Sequence, residues 1–171
     1  MSAIYPSELC VDDTLPTTDR FTVCSVNGKV GMGVRSKLRF IRGTLVAKFT
    51  GHLSNTILQH TLQASPHTHL HDPYFVGLLT HSCAPNCALD MQRLEILALT
   101  DVEADQLLTI DYAATEDVLH RQFACGCGSP ACRKWITGRR EPVNEAGHAY
   151  LAGLASKKVR SLIGRVRRSA R

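Results

Sequence analysis

Cys125, Cys127 and Cys132 stand in a C-x-C-x4-C pattern, with Gly126, Gly128 and Pro130 in the gaps. Glycine and proline let a short loop turn its thiolates toward one point, and tetrahedral zinc takes four such ligands at about 2.3 Å. Three local thiols leave one position open, for which Cys83 and Cys87 are the distant candidates. A ligand from that far away would tie the C-terminal region to the core and add folding energy. The chain has seven cysteines, an odd number, and it carries Glu8, Asp12 and Asp13 where an export signal needs an apolar run. A disulfide framework is therefore a poor reading. Metal ligation or buried thiols in a reducing intracellular compartment, cytoplasm or nucleus, fit better, with signal-less secretion left open.

Cys83 and Cys87 belong to a second loaded stretch, Thr80-His81-Ser82-Cys83-Ala84-Pro85-Asn86-Cys87. Pro85 lacks a backbone donor, and Ser82 and Asn86 bond readily to nearby backbone, so the stretch reads as a tight turn. It follows the apolar Phe75 to Leu79 and precedes the strand-like Ala88 to Met91. The third stretch is Ile110-Asp111-Tyr112, at the end of a buried-looking strand over residues 107–110. Five of the eight histidines fall within residues 52–72, but their spacing offers no regular ligand pair.

The elements that must position these residues are short strands. Phe21 to Val26 alternates and is rich in β-formers, Asn27-Gly28 is a hairpin turn, and the chain returns over Lys29 to Val34 with Gly31 and Gly33 in the strand. Such glycines mark a bulge or a close approach by backbone or ligand. Ile41-Arg42-Gly43-Thr44 turns into a strand over Leu45 to Thr50, and Ser54 is placed to cap a short helix over Asn55 to Leu62. Ala88 to Met91 and Leu94 to Thr100 form a second hairpin across Gln92-Arg93. Residues 1–19 read as a loose lead-in, Ala113 to His120 as a short helix or loop, and Asn144 onward as a helix. The expected fold class is mainly β.

The 171 residues suit one domain plus an extension, and no apolar run is long enough for a transmembrane helix. The net charge of +5 is unevenly divided. Residues 1–132 carry 9 basic and 13 acidic groups, a balance of −4, and residues 133–171 carry 11 basic and 2 acidic groups, a balance of +9. A basic tail favours anionic partners such as nucleic acid or a lipid surface; its bland counterpart is a solvated helix.

With these stretches in order, the chain resembles the SET-domain lysine methyltransferases followed by a post-SET zinc segment, over about residues 21–138. Gly31-Met32-Gly33-Val34-Arg35 with Ile41-Arg42-Gly43-Thr44 is similar to the family's first motif, and His81-Ser82-Cys83-Ala84-Pro85-Asn86 to its NHS-C-x-P-N motif. Leu108-Thr109-Ile110-Asp111-Tyr112 is similar to E-L-T-x-D-Y, and Cys125 to Cys132 with Arg133 to C-x-C-x4-C-R. The chain departs from the family at Thr80, usually asparagine, and at Leu107 and His52, where glutamate is common.

The resemblance implies a SET-domain fold of several small β-sheets around a knot-like crossing, with a C-terminal zinc segment and helix. Its implied organisation is a lead-in (1–20), the SET domain (21–120), a post-SET zinc segment (121–138) and a basic helical tail (139–171). It implies methyl transfer from S-adenosylmethionine to lysine, on a histone tail or another lysine-rich protein, with nucleic acid as a further contact of the tail. Tyr112 matches the catalytic tyrosine. Met32, Gly33, Thr80 and His81 match cofactor positions, with Trp135 or Phe123 near the cofactor or the lysine channel. Cys83 matches the distant zinc ligand beside Cys125, Cys127 and Cys132. The competing expectations are a non-catalytic, zinc-stapled SET-like binding module, favoured by Thr80, and a nucleic-acid-tethered regulator working through its tail.

Overall fold

The computed structural model describes residues 2–9, 14–26 and 30–169. The first hairpin joins β1 (Phe21–Val26) and β2 (Val30–Ser36) in antiparallel register, Phe21 opposite Ser36. The Asn27-Gly28 turn between them lies outside the described residues. β3 (Leu45–Lys48) follows a turn in which Gly43 takes a φ of 82°, a conformation glycine adopts without a Cβ penalty.

Residues 52–71 depart from the expected helix. They form β4 (His52–Ser54), β5 (Thr61–Ser65) and β6 (Thr68–His71), in the order β4-β6-β5. The reason is local. The Ser54 hydroxyl accepts from Thr56 N at 3.1 Å and donates to Thr56 O at 2.9 Å, closing a turn where a helix would have needed a cap. His60, at φ 67°, then redirects the chain.

A 3-10 turn at Val76–Leu78 leads into β7 (Thr80–His81). β8 (Cys87–Asp90) and β9 (Glu95–Ala98) form the expected second hairpin, and β9 also pairs with β3. Of the predicted strand over 107–110, only β10 (Thr109–Ile110) pairs with β7, in parallel. Leu107 bridges Arg35 instead, and Leu108 N donates to Val34 O at 2.8 Å, so this short run changes partners midway. One turn of helix, α1 (Tyr112–Thr115), comes next, followed by β11 (Phe123–Ala124), β12 (Trp135–Ile136) and the long α2 (Glu145–Ser169). Asn144 caps α2, accepting from Gly147 N at 2.9 Å.

The main core gathers Phe21, Phe49, Phe75, Leu79, Ile96 and Leu108, all essentially inaccessible. Phe21 meets Phe75 edge-on at 4.9 Å and stacks on Phe40 at 6.1 Å. Each such side chain stabilises the fold by roughly 1.5–3 kcal/mol through burial. The N-terminal stretch is not loose. Tyr5, Leu9 and Leu15 are buried in this core, and the Tyr5 hydroxyl donates to the fully buried Asp72 at 2.5 Å. The same carboxylate accepts from the backbone N–H groups of Tyr74, Phe75 and Val76, so it fixes the turn that leads to β7.

Candidate active site and metal centre

The site is built where residues 80–87 and 107–112 cross. β7 and β10 align Thr80 with Thr109 and His81 with Ile110, and Ser82 N donates to Ile110 O at 2.9 Å. From the other side, buried Asn86 grips the same run. Its amide donates to Leu107 O at 2.9 Å and accepts from Thr109 N at 2.8 Å, and its own N–H donates to Thr109 Oγ1 at 3.1 Å. The 107–112 run is thus held on both sides by one eight-residue stretch, and Tyr112 emerges at a fixed position.

The Tyr112 hydroxyl donates to Leu79 O at 2.7 Å, and its ring lies edge-on to His81 at 5.3 Å and to Phe123 at 5.9 Å. Burial, helped by the charge of Glu116, pushes the phenol up to about 12, so it is a protonated donor at neutral pH. His81 Nδ1 accepts from Tyr112 N at 3.3 Å, which leaves Nε2 facing Cys83 Sγ at 3.4 Å. The His81 side chain is 2% exposed, and burial holds its imidazole down at about 4.

A cavity of about 730 Å³ opens here, walled by Met32, Thr80, His81, Tyr112, Glu116 and Phe123 among others. That volume suits a small-molecule site. Gly33 lies behind this wall. A Cβ there would come within 2.5 Å of Val26 Cγ2, 3.0 Å of Leu107 Cδ1 and 3.3 Å of Thr80 Cγ2, so only glycine lets β2 lie against the crossing. The Thr80 hydroxyl donates to Leu108 O at 3.4 Å. Trp135 sits apart from the cavity. Its indole N–H donates to Gln122 Oε1 at 2.9 Å, its ring is 5.5 Å from Tyr150, and it packs against Gly147 under the first turns of α2.

The sulfur atoms of Cys83, Cys125, Cys127 and Cys132 all lie within 4.8 Å of one another. Cys87 lies elsewhere, buried opposite Ala98 in β8, with its thiol pushed up to about 12 by burial. Four converging thiols suit tetrahedral zinc and no hard cation. The backbone N–H of Cys83 holds the Cys127 thiol down at about 6, favouring the thiolate that metal ligation needs. Arg133, directly after the cluster, pairs with Asp111, and its backbone N–H donates to Cys83 Sγ at 3.4 Å. The cluster is therefore joined to both halves of the crossing.

Two wall residues escaped the sequence reading. Glu116 is buried and accepts from Gln63 N at 2.9 Å; its signal was its place four residues after Tyr112. His60, from the β4–β5 turn, bonds Gly77 O through Nδ1 at 2.8 Å, and nothing in its local sequence marks it.

The small β-sheets, with a cavity beside the half-buried Tyr112 where two chain segments cross, have the fold of SET-domain structures, and the comparisons bear this out. Residues 31–113 match the SET domain family. ASHR3 of Arabidopsis thaliana, a histone-lysine N-methyltransferase, is 35% identical over 71 residues, 37% of this chain and 14% of that one. Drosophila melanogaster ash1, of the same description, is 26% identical over 151 residues, 75% of this chain and 7% of that one. The chain thus spans only a small fraction of these relatives. Among solved structures, KRYPTONITE in complex with mCHG DNA and SAH superposes with a TM-score of 0.55 at 28% identity, covering 67% of this chain and 28% of that one. The methyltransferase domain of human SETMAR shares the fold, with a TM-score of 0.55 at 18% identity over 69% of this chain and 58% of that one.

Proposed function

We propose that this chain is a protein-lysine N-methyltransferase that uses S-adenosylmethionine and acts on a histone tail or a similar lysine-rich segment. The observation that carries the reading is Tyr112, whose hydroxyl is fixed by Leu79 O at the wall of the cavity. When bound, the cofactor supplies an electrophilic methyl group on sulfonium sulfur. The attacking lysine must be neutral, although its ordinary pKa is about 10.4. A dry channel favours the neutral amine by desolvation. Tyr112 serves by alignment. Held on one side by the Leu79 carbonyl, its oxygen is left to accept from the lysine amine and orient the lone pair for in-line attack.

Met32, Thr80 and His81 are the residues we assign to cofactor binding, since they line the cavity, with Gly33 setting their approach from behind. Trp135 supports them at one remove, by seating α2 against the zinc segment. Cys83, Cys125, Cys127 and Cys132 would hold zinc as a structural tie, without a part in the chemistry. The complex of KRYPTONITE with an H3(1–15) peptide and DNA supports a histone substrate and a nucleic-acid contact, the latter through the basic tail. Among the described residues no helix is long and apolar enough to cross a membrane.

The test is methyl transfer to recombinant histones and to total cellular protein, with sites mapped by mass spectrometry. Transfer by the wild type and its loss in Tyr112→Phe would support the reading. Failure of calorimetry to detect S-adenosylmethionine binding at high micromolar concentration would overturn it in favour of a binding module.

A further inference from the structure

Among the described residues, Glu116 is the only carboxylate in the cavity wall. The chain places it with care. Its backbone N–H donates to Tyr112 O at 2.9 Å, so it stands one helical turn after the tyrosine and on the same side. Its Oε1 accepts from Gln63 N at 2.9 Å, and the Thr115 side chain also bonds to it. No cation pairs with it among the described residues. The nearest candidate, Arg139, gives its guanidinium to the neighbouring Asp117, at 2.8 Å from Nε and 2.7 Å from the terminal nitrogen. A carboxyl that is 7% exposed, hydrogen-bonded and unpaired costs stability. A merely structural acceptor for Gln63 N would need no charge.

We propose that Glu116 is the cation-recognising group of this cavity, receiving the ammonium of the incoming lysine side chain beside Tyr112 and taking one proton from it. This deepens the methyltransferase reading and rests on it. In the step, an ammonium N–H bond breaks, its electron pair stays on nitrogen as the nucleophile's lone pair, and the proton ends on a carboxylate oxygen. Burial pushes the Glu116 carboxyl up to about 7, within reach of a desolvated ammonium as proton donor. The charged and titratable groups facing it are Tyr112 on α1, Asp117 beside it and Arg139 from the segment after β12, while β5 presents neutral Gln63. His60 lines the same cavity from the β4–β5 turn, as do His81 from β7 and His120 and Arg121 from the segment before β11.

The test uses the full chain, zinc-loaded and saturated with S-adenosylhomocysteine, titrated with n-butylammonium chloride and with neutral n-butanol. Glu116→Gln keeps the acceptor for Gln63 N and removes the charge. Near pH 8 the wild type should bind butylammonium about ten-fold more tightly than Glu116→Gln, with butanol affinity unchanged. That advantage should vanish near pH 5.5, and Asp117→Asn should behave as wild type. Equal butylammonium affinity in wild type and Glu116→Gln would overturn the proposal. So would a wild-type affinity that does not change across this pH range, a result that holds even if the variant fails to fold. With an H3(1–15) peptide as methyl acceptor, the variant should show a raised KM and lose the limb near pH 7. Methyl transfer with an unchanged KM and pH profile sinks the Glu116 role alone. Charge-dependent butylammonium binding without any methyl transfer sinks the enzyme reading and leaves the cation subsite standing.

Discussion

The crossing and the cysteine cluster adjoin each other, yet they reach their geometry by different means. Residues 80–87 and 107–112 are fixed by the fold's own hydrogen bonds, four of them gathered on Asn86 and its partner Thr109. The cluster has a thinner frame, with local bonds such as Cys125 N to Lys134 O and Cys132 N to Ser129 O. Its flanking strands β11 and β12 are two residues each, and its own small core contains only Leu119, Cys125 and Ile136 as buried members. One region is pre-organised by backbone pairing and burial. The other converges four sulfurs that, as thiolates, would repel one another without a cation between them. Under the methyltransferase reading proposed above, alignment of the reacting groups would fall to the first region and a structural tie to the second.

The contrast breaks most sharply under metal removal. Structural zinc contributes on the order of 10 kcal/mol to small metal-nucleated segments. Chelation or Cys132→Ser should therefore release residues 123–138, seen as fast amide exchange there, while β7 and β10 stay protected. Equal exposure of both regions would show that the crossing also depends on the metal. Next in size is Tyr112→Phe, which removes the aligning hydroxyl. Turnover should fall about 100-fold or more, with little change in melting temperature. A large loss of stability instead would make the Leu79 bond a structural one.

Asn86→Ala should come third. It strips the side-chain bonds to Leu107 O and Thr109 and leaves buried backbone groups unpaired, costing about 2–4 kcal/mol in urea unfolding. Metal affinity should change little, because the cluster does not draw on Asn86. The smallest effect is the pH dependence set by Glu116. Its carboxyl sits at about 7 in the folded chain against an ordinary 4.5, so the protonated form is favoured by folding. Its contribution is full below about 4.5 and is lost as the pH rises through about 7, by roughly 3 kcal/mol. Glu116→Gln should flatten this fall and be the more stable protein near pH 8, as read by unfolding at several pH values.

Much of the site was legible because its residues are unusual in type. C-x-C-x4-C, His81 to Asn86 and Asp111-Tyr112 could be read without a fold, since thiols, a proline and a tyrosine at the end of an apolar strand have few ordinary uses at such spacing. The two hairpins were legible from turn residues and alternation. Less visible were elements whose shape is set by partners far along the chain. The 52–71 region alternates weakly, and its strands form only because β6 lies between β4 and β5. The N-terminal stretch looked loose because nothing nearby shows that Tyr5 will find Asp72, 67 residues on.

The sequence by itself determined the composition of the site: which thiols, which tyrosine, and a β-rich chain with a basic end. Those are properties of residue type and short spacing, which act over one or two turns of backbone. Only the tertiary structure set Trp135 apart from the cavity and brought Glu116 into its wall. Each of these depends on which way a side chain leaves its strand and on what a remote segment buries against it. Local spacing carries no information about that, because burial and desolvation are properties of the whole packed chain.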